Sequence, residues 1–315
     1  MKKNIAVIGC GHWGKNLVRN FAELGALAAV CDPNGGLAQS YAEKYNVSNL
    51  TFSAIINDAG IEGVVLAVPA PLHSTMAMQA MSAGKHVYCE KPLAMNEAEA
   101  EDMIVSAEEN GVQLMVGHLL QYHPIFITVR GLVESGTLGS LNYIYSNRLS
   151  FGKVRSEEDV IWSFAPHDIS MILSIAGQEP EAVRTEATMI LQEGIADIAT
   201  VHMEFSSGLK AHISVSWLHP FKEQKLVIVG KNGMVVFDDT KPWHEKLALY
   251  RHTVESSQES INLEKAEVEY LEVPQYEPLK NECLHFIDVV NGKCIPITGA
   301  DEGLRVLKVL TAASG

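Results

Sequence analysis

The chain reads as an α/β protein of two parts: an N-terminal doubly wound parallel sheet over residues 1–120, and a C-terminal α+β domain with a largely antiparallel open sheet over residues 121–315. Up to about residue 120, short apolar runs alternate with helical patterns, the rhythm of parallel strands joined by crossover helices. Beyond that point strands follow one another directly, and Leu141-Asn142-Tyr143-Ile144-Tyr145-Ser146-Asn147-Arg148 has a period near two. A length of 315 residues also exceeds an ordinary single domain, so two cores are expected.

In the first part, strands are expected at Ile5 to Ile8, Ala28 to Cys31, Leu50 to Phe52, Gly63 to Val68, His86 to Cys89 and Gln113 to Gly117. Helical patterns lie near 14–24, 36–45, 74–83 and 97–110; the first sets Leu17, Val18, Phe21 and Leu24 on one face. Gly63-Val64-Val65-Leu66-Ala67-Val68 shows no polar alternation, as befits a strand covered on both faces. In the second part, a helix over Ile125 to Glu134 precedes the alternating strand, and further strands are expected at 182–192, 197–206, 209–217, 224–230 and 233–238. Ser207-Gly208 and Asn232-Gly233 suit hairpin turns, the second of type I′. Helices near 165–176, 278–291 and 301–312 are expected on one face of that sheet.

Composition narrows the function. A net charge of −14 repels phosphate backbones and anionic lipid head groups, so nucleic-acid and membrane-surface partners are not expected. The five cysteines form no C-x-x-C pair and are odd in number, which points to reduced thiols. Neither a signal-peptide apolar region nor a membrane-length apolar run is present, and a cytoplasmic location is expected. The twelve histidines show no metal-ligand spacing, so no metal is expected.

Gly9-Cys10-Gly11-His12-Trp13-Gly14 follows the first strand and opens the first helix, the context that gives a G-x-G-x-x-G fingerprint its meaning. Gly9 permits the tight turn, Gly11 lets backbone approach a pyrophosphate, and Gly14 allows close helix–strand packing, with the helix N-terminus facing the negative charge. Asp32 ends the second strand, where its carboxylate suits two ribose hydroxyls and repels a 2′-phosphate; NAD is therefore favoured over NADP. This is a Rossmann dinucleotide site, with His12 and Trp13 in the turn as further candidate cofactor contacts.

The fourth and fifth strands end in Val68-Pro69-Ala70-Pro71-Leu72-His73 and Cys89-Glu90-Lys91-Pro92. Val-Pro-x-x-x-His followed by Glu-Lys-Pro resembles the glucose-fructose oxidoreductase, inositol dehydrogenase and rhizopine-catabolism (Gfo/Idh/MocA) family, over essentially the whole chain. The resemblance implies cofactor contacts at Pro69, His73, Glu90 and Lys91, and a cis peptide before Pro92 that aims Lys91 at nicotinamide and substrate. Alcohol oxidation needs a base beside the nicotinamide, and Lys91 can serve if its neighbours lower its pKa. The family's second segment, Asp-x-x-x-His at a helix start, corresponds to Ser163-Phe164-Ala165-Pro166-His167. His167 matches and Ser163 replaces the aspartate, leaving Lys91 and His167 as the expected acid/base pair, while Asp168 is read either as a relay neighbour or as an early-helix acid.

His118, Gln121 and His123 follow the sixth strand at the carboxyl edge of the sheet, where polar groups suit sugar hydroxyls. Arg148, Lys153 and Arg155 form a cationic island in an acidic chain and suit a diphosphate. With Trp162 and the 117–124 segment, the pattern is most similar to the family's nucleotide-sugar branch, the UDP-N-acetylglucosamine 3-dehydrogenases. The resemblance implies oxidation of the 3-hydroxyl of a UDP-N-acetylhexosamine for amino-sugar biosynthesis. The alternatives are an inositol-type dehydrogenase of an unactivated polyol or sugar, and a dinucleotide-binding sensor without catalysis. The family also implies a homodimer or homotetramer, built on the partly apolar second face of the later sheet, as in Lys210-Ala211-His212-Ile213-Ser214-Val215-Ser216-Trp217.

Overall fold

A computed structural model describes residues 2–152, 154–256 and 261–314. The chain divides into two compact units, one holding the chain through Tyr122 with Glu277–Leu307, the other His123–Tyr276 with the chain from Lys308.

The first unit carries a six-stranded parallel sheet: β1 (Ile5–Ile8), β2 (Leu27–Cys31), β3 (Ser48–Asn49), β4 (Gly63–Leu66), β5 (His86–Cys89) and β6 (Leu114–Val116), in the order β3-β2-β1-β4-β5-β6. The order reverses between β1 and β4, and it is outside the carboxyl ends of strands at such a point that open α/β sheets bind ligands. β1 and β4 are buried at every position, as their unbroken apolar runs require. The connecting helices are α1 (Gly14–Glu23), α2 (Gly35–Tyr45), α3 (Phe52–Asn57), α4 (His73–Ser82) and α5 (Glu97–Glu109). Helix α3 replaces part of the strand expected at Leu50 to Phe52, because Thr51 caps it by accepting from Ala54 N at 3.2 Å.

The second unit holds α6 (Pro124–Glu134), β7 (Leu141–Phe151), α7 (Val160–Ala176) and β8 (Ala182–Thr188), then β9 (Ile198–Glu204), β10 (Lys210–Ser216), β11 (Leu218–Gly230) and β12 (Met234–Asp238). β13 (Leu247–Tyr250), β14 (Thr253–Ser256), β15 (Ile261–Glu264) and β16 (Val268–Tyr270) were not anticipated. Eight strands form one sheet, β16-β13-β12-β11-β7-β10-β9-β8, antiparallel except for β7 against β10; β14 and β15 pair separately. Ala211, Ile213 and Val215 are buried on the face that meets α7, while His212 and Ser214 on the other face remain partly exposed. The β11–β12 turn is not of type I′. Neither Asn232 nor Gly233 has positive φ, and Asn232 N instead donates to Leu138 O at 2.9 Å.

Helix α8 (Pro278–Val290) was expected on the second sheet, yet it packs in the first unit. Phe286 meets Phe21 and Tyr88 edge to face, at centroid distances of 6.3 and 5.8 Å, and Leu279, Cys283, Ile287 and Val290 join the same core. The final helix, α9 (Ala300–Ser314), contains the boundary between the units at Leu307. Among the described residues, no helix is long and apolar enough to cross a membrane.

Candidate active site

The fingerprint turn is built around backbone. Gly9 has φ +90°, and a Cβ there would lie 2.2 Å from Ala67 O; at Gly14 one would lie 1.9 Å from Gly9 O. Gly11 differs, because a Cβ there would meet nothing within 4 Å. Protein packing therefore explains two of the glycines, and the open space at Gly11 fits a bound pyrophosphate. Gly9, Gly11, Asp32 and Pro69 line a cleft of about 750 Å³, together with Asn49, Thr51, Phe52, Leu72 and Met76.

Asp32 anchors this cleft. Its Oδ2 accepts from Cys10 N at 2.7 Å and its Oδ1 from Asn34 N at 2.8 Å, which ties the turn after β1 to the end of β2. Each carboxylate oxygen has lone pairs left for a ribose hydroxyl. Burial, Asp32 and Cys31 push the Cys10 thiol up to about 12, so it stays neutral beside the turn. Phe52, Leu72 and Met76 add an apolar wall that sequence reasoning missed; the signal was the Thr51 cap, which turns the expected strand into a helix start.

Other expected cofactor contacts are placed differently. His12 and Trp13 are exposed on the turn, and Trp13 Nε1 donates to Glu90 Oε1. Glu90 is buried; its Oε1 also accepts from Tyr88 Oη at 3.1 Å, and its Oε2 from Lys91 N at 3.3 Å. Its carboxylate thus joins the fingerprint turn to the end of β5. His73 is 1% exposed and directs its ring nitrogens at Pro92 O (2.7 Å) and Val68 O (3.0 Å), so it braces the ends of β4 and β5. Burial lowers its pKa below the ordinary value. Lys91 is half-buried, and the Lys91–Pro92 peptide is cis.

The expected substrate contacts also separate. His118 is buried and pairs through Nδ1 with Glu302 at 2.5 Å, and Gln121 is buried in the same unit. In the second unit His123 caps α6, accepting from Ile125 N at 3.2 Å, with its ring packed against Phe237 and Trp243. Burial outweighs Asp239 and lowers its pKa to about 4, leaving a neutral structural histidine where a sugar contact was expected.

The cationic island is corrected as well. Arg148 Nε and Nη2 donate to Asp168 at 2.5 and 3.2 Å, and Ser146 Oγ donates to Asp168 Oδ1 at 2.5 Å. Asp168 is 1% exposed and sits in the middle of α7, so it is a buried anchor and not an early-helix acid. Arg155 is exposed and lies 3.5 Å from Glu158; Lys153 falls outside the described residues. Trp162 Nε1 donates to Ser314 Oγ at 2.9 Å. His167 is half-buried in the interior of α7, directly after Pro166, and not at the helix start: Asp159 caps that helix eight residues earlier in the chain by accepting from Ile161 N and Trp162 N.

An NAD cleft and, in the same unit, an amine carried at the end of a sheet strand beside a buried carboxyl define the class: an NAD-dependent oxidoreductase. Residues 3–118 match the oxidoreductase family with an NAD-binding Rossmann fold, and residues 126–236 match the GFO/IDH/MocA C-terminal domain. The chain belongs to the Gfo/Idh/MocA family. It is 31% identical over 212 residues to the UDP-N-acetylglucosamine 3-dehydrogenase of Acidithiobacillus ferrooxidans, covering 67% of this chain and 66% of the relative. It is 24% identical to the inositol 2-dehydrogenase of Rhizobium meliloti, over 77% of each chain. A solved structure of the Acidithiobacillus ferrooxidans UDP-N-acetylglucosamine 3-dehydrogenase superposes with a TM-score of 0.85 at 25% identity, covering 98% of this chain and 96% of that one.

Proposed function

We propose that this oxidoreductase oxidises the 3-hydroxyl of a UDP-N-acetylhexosamine, most simply UDP-N-acetylglucosamine, to a 3-keto nucleotide sugar used in amino-sugar biosynthesis. The observation that carries the chemistry is Lys91, at the end of β5 beside a buried Glu90 that also accepts from Tyr88 and from Trp13 of the fingerprint turn. Gly9, Gly11, Asp32 and Pro69 would hold NAD, which when bound supplies the hydride acceptor. Lys91 takes the proton of the reacting hydroxyl, and His167 is the second acid/base group the family motif supplies. The 31% identical relative supports the nucleotide sugar as substrate. Because Arg148 is engaged by Asp168, the diphosphate contact falls to Arg155 and Lys153.

That engagement of Arg148 also favours a second reading, oxidation of an unactivated polyol of the inositol type, as the Rhizobium meliloti relative's name suggests for that protein. NADH formation at saturating NAD separates the two. UDP-N-acetylglucosamine is coupled to a PLP aminotransferase with glutamate, because alcohol oxidation near neutral pH is uphill. Turnover that UDP inhibits competitively supports the nucleotide sugar, and turnover of myo-inositol that ignores UDP assigns the polyol. Binding of NAD without turnover of either substrate supports the sensor.

For assembly, we propose a homodimer or homotetramer formed through the open face of the second sheet, where Tyr143, Tyr145, His202 and His212 are only partly covered. Light scattering showing monomer alone rejects it.

A further inference from the structure

Trp13 stands in the fingerprint turn directly before α1, and its carbonyl accepts from Asn16 N at 2.9 Å, so the residue is fixed to the start of that helix. The side chain is large, apolar and exposed, yet its Nε1–H is committed to Oε1 of the buried Glu90. That hydrogen bond joins parts of the sheet that are not neighbours. The strand order runs β1-β4-β5, so β4 lies between the turn after β1 and the end of β5. Adjacent strands are about 4.8 Å apart, which puts about 10 Å between β1 and β5. A long, stiff donor meeting a long acceptor closes such a gap, and the link passes over the carboxyl end of β4.

The acceptor is held on several sides. Glu90 N donates to Leu66 O at 3.0 Å, which carries the β4–β5 ladder one residue past β5. Tyr88 Oη donates to Glu90 Oε1 at 3.1 Å and Lys91 N to Oε2 at 3.3 Å. The missing side chain at Gly117 makes room for the carboxylate: a Cβ there would lie 2.8 Å from Tyr88 Oη and 2.9 Å from Glu90 Oε2. Tyr88 and Lys91 lie within two residues of Glu90 and restrain it relative to its own strand. Trp13 ties it to the turn in which Gly11 leaves open space for a pyrophosphate.

We infer that Trp13 is a positioning residue for Lys91, setting through Glu90 the distance between the dinucleotide turn and the lysine amine. The inference rests on the reading of Lys91 as the base. Proton and hydride leave bonded atoms of one alcohol, the proton from oxygen and the hydride from carbon. The group that takes the proton must therefore keep its place relative to the cleft that holds the hydride acceptor. The ladder through β4 sets the coarse spacing, but Lys91 lies beyond β5, where side-chain links decide the fine position. A misplacement of about 1 Å there is worth up to about 10²-fold in rate. Trp13 acts on this distance without touching the reacting atoms, and its link to Glu90 stands before any cofactor binds.

Trp13→Phe keeps an aromatic ring and removes the donor. With whichever of UDP-N-acetylglucosamine and myo-inositol is turned over, kcat at saturating NAD is expected to fall about 10- to 100-fold, while the calorimetric Kd for NAD stays within about threefold. Glu90→Met removes the acceptor at nearly the same length and is expected to lose as much; adding Trp13→Phe to it lowers kcat no further. Tyr88→Phe removes a donor from within β5 and leaves the bridge, so its loss is expected to stay under about threefold. A second readout needs neither substrate nor cofactor. In NMR spectra of the NAD-free protein labelled at the indole nitrogens, the N–H resonance missing from Trp13→Phe is expected to move upfield in Glu90→Met, as its charge-assisted hydrogen bond is lost. Trp162, Trp217 and Trp243 lie in the second unit and keep their positions. An indole resonance unmoved in Glu90→Met overturns the inference, as does a Trp13→Phe enzyme that keeps its kcat and loses only NAD affinity. A Tyr88→Phe loss as large as that of Trp13→Phe overturns it too, because the number of donors on Glu90 would then matter and the bridge would not. Lys91→Ala separates the two failures: an active Lys91→Ala enzyme refutes the base assignment, whereas an inactive one beside an unimpaired Trp13→Phe refutes the positioning role alone.

Discussion

The two ends of the candidate chemistry were built by different kinds of constraint. At the fingerprint turn the demands are local: Gly9 needs its positive φ, and Gly14 has a backbone oxygen where a Cβ would stand, so residue types at fixed spacing report the structure directly. Around Arg148 the demands are non-local. Arg148, on β7, reads as a surface cation in sequence, yet its guanidinium is claimed by Asp168 across the sheet–helix interface. Backbone requirements are therefore more reliable guides to a site than side-chain charge, because a charge can be spent on a partner distant in the chain.

The largest expected effect tests the legible end. Lys91→Ala should lower kcat by about 10²- to 10⁴-fold, the usual worth of a positioned acid or base, with NAD affinity little changed. A kcat within threefold of wild type, measured as NADH formation, would show that the motif's central residue carries no chemistry.

The next contrast lies within the cationic segment. Arg148→Met strands Asp168 as a buried unpaired carboxylate and should cost about 3 to 5 kcal/mol in urea denaturation. Arg155→Glu should leave stability within about 0.5 kcal/mol and raise KM for the nucleotide sugar more than for NAD. An unchanged KM would remove the whole segment from the substrate site.

Glycines sharpen the comparison in the other direction. Gly9→Ala forces a side chain into left-handed backbone against Ala67 O and should cost more than about 2 kcal/mol, lowering the unfolding midpoint. Gly11→Ala meets no protein atom, so its midpoint should stay put while the Kd for NAD rises. Calorimetry that found both variants equally destabilised would mean that Gly11 also serves packing.

The smallest effect concerns Glu282, an acid fully buried on α8. The unfolded chain releases the Glu282 proton near 4.5, whereas the folded protein retains it well above that value. The folded state therefore binds more protons as pH rises past 4.5, and this group contributes a growing destabilisation until it too ionises. The Tm of Glu282→Gln relative to wild type should accordingly increase between pH 5 and pH 8. A difference that is flat or falls over that range would place Glu282 in a polar environment.

Much of the first unit was legible because strand, turn and helix signals coincide within a few residues. β1 and β5 run as expected, and the Thr51 cap was the readable sign of α3. The second unit was less so. β13 to β16 follow Pro242 in short segments whose pattern is weak alone, and their pairing is decided by neighbours far along the chain. His73, Glu90 and His123 were legible as site candidates but not as braces, since their partners Pro92, Trp13 and Asp239 lie far along the chain and become neighbours only on folding.

By itself the sequence determined the parallel, doubly wound character of the first sheet, the fingerprint turn, the preference for NAD and the place of Lys91. These follow from steric limits on backbone and from apolar runs too continuous for anything but a strand covered on both sides. Only the tertiary structure decided that α8 returns to the first unit, that Asp168 claims Arg148, and that Glu282 is enclosed near Tyr88 and Glu90. Those outcomes depend on which surfaces meet in three dimensions, and burial sets the proton affinity of a carboxyl only once the elements around it have closed.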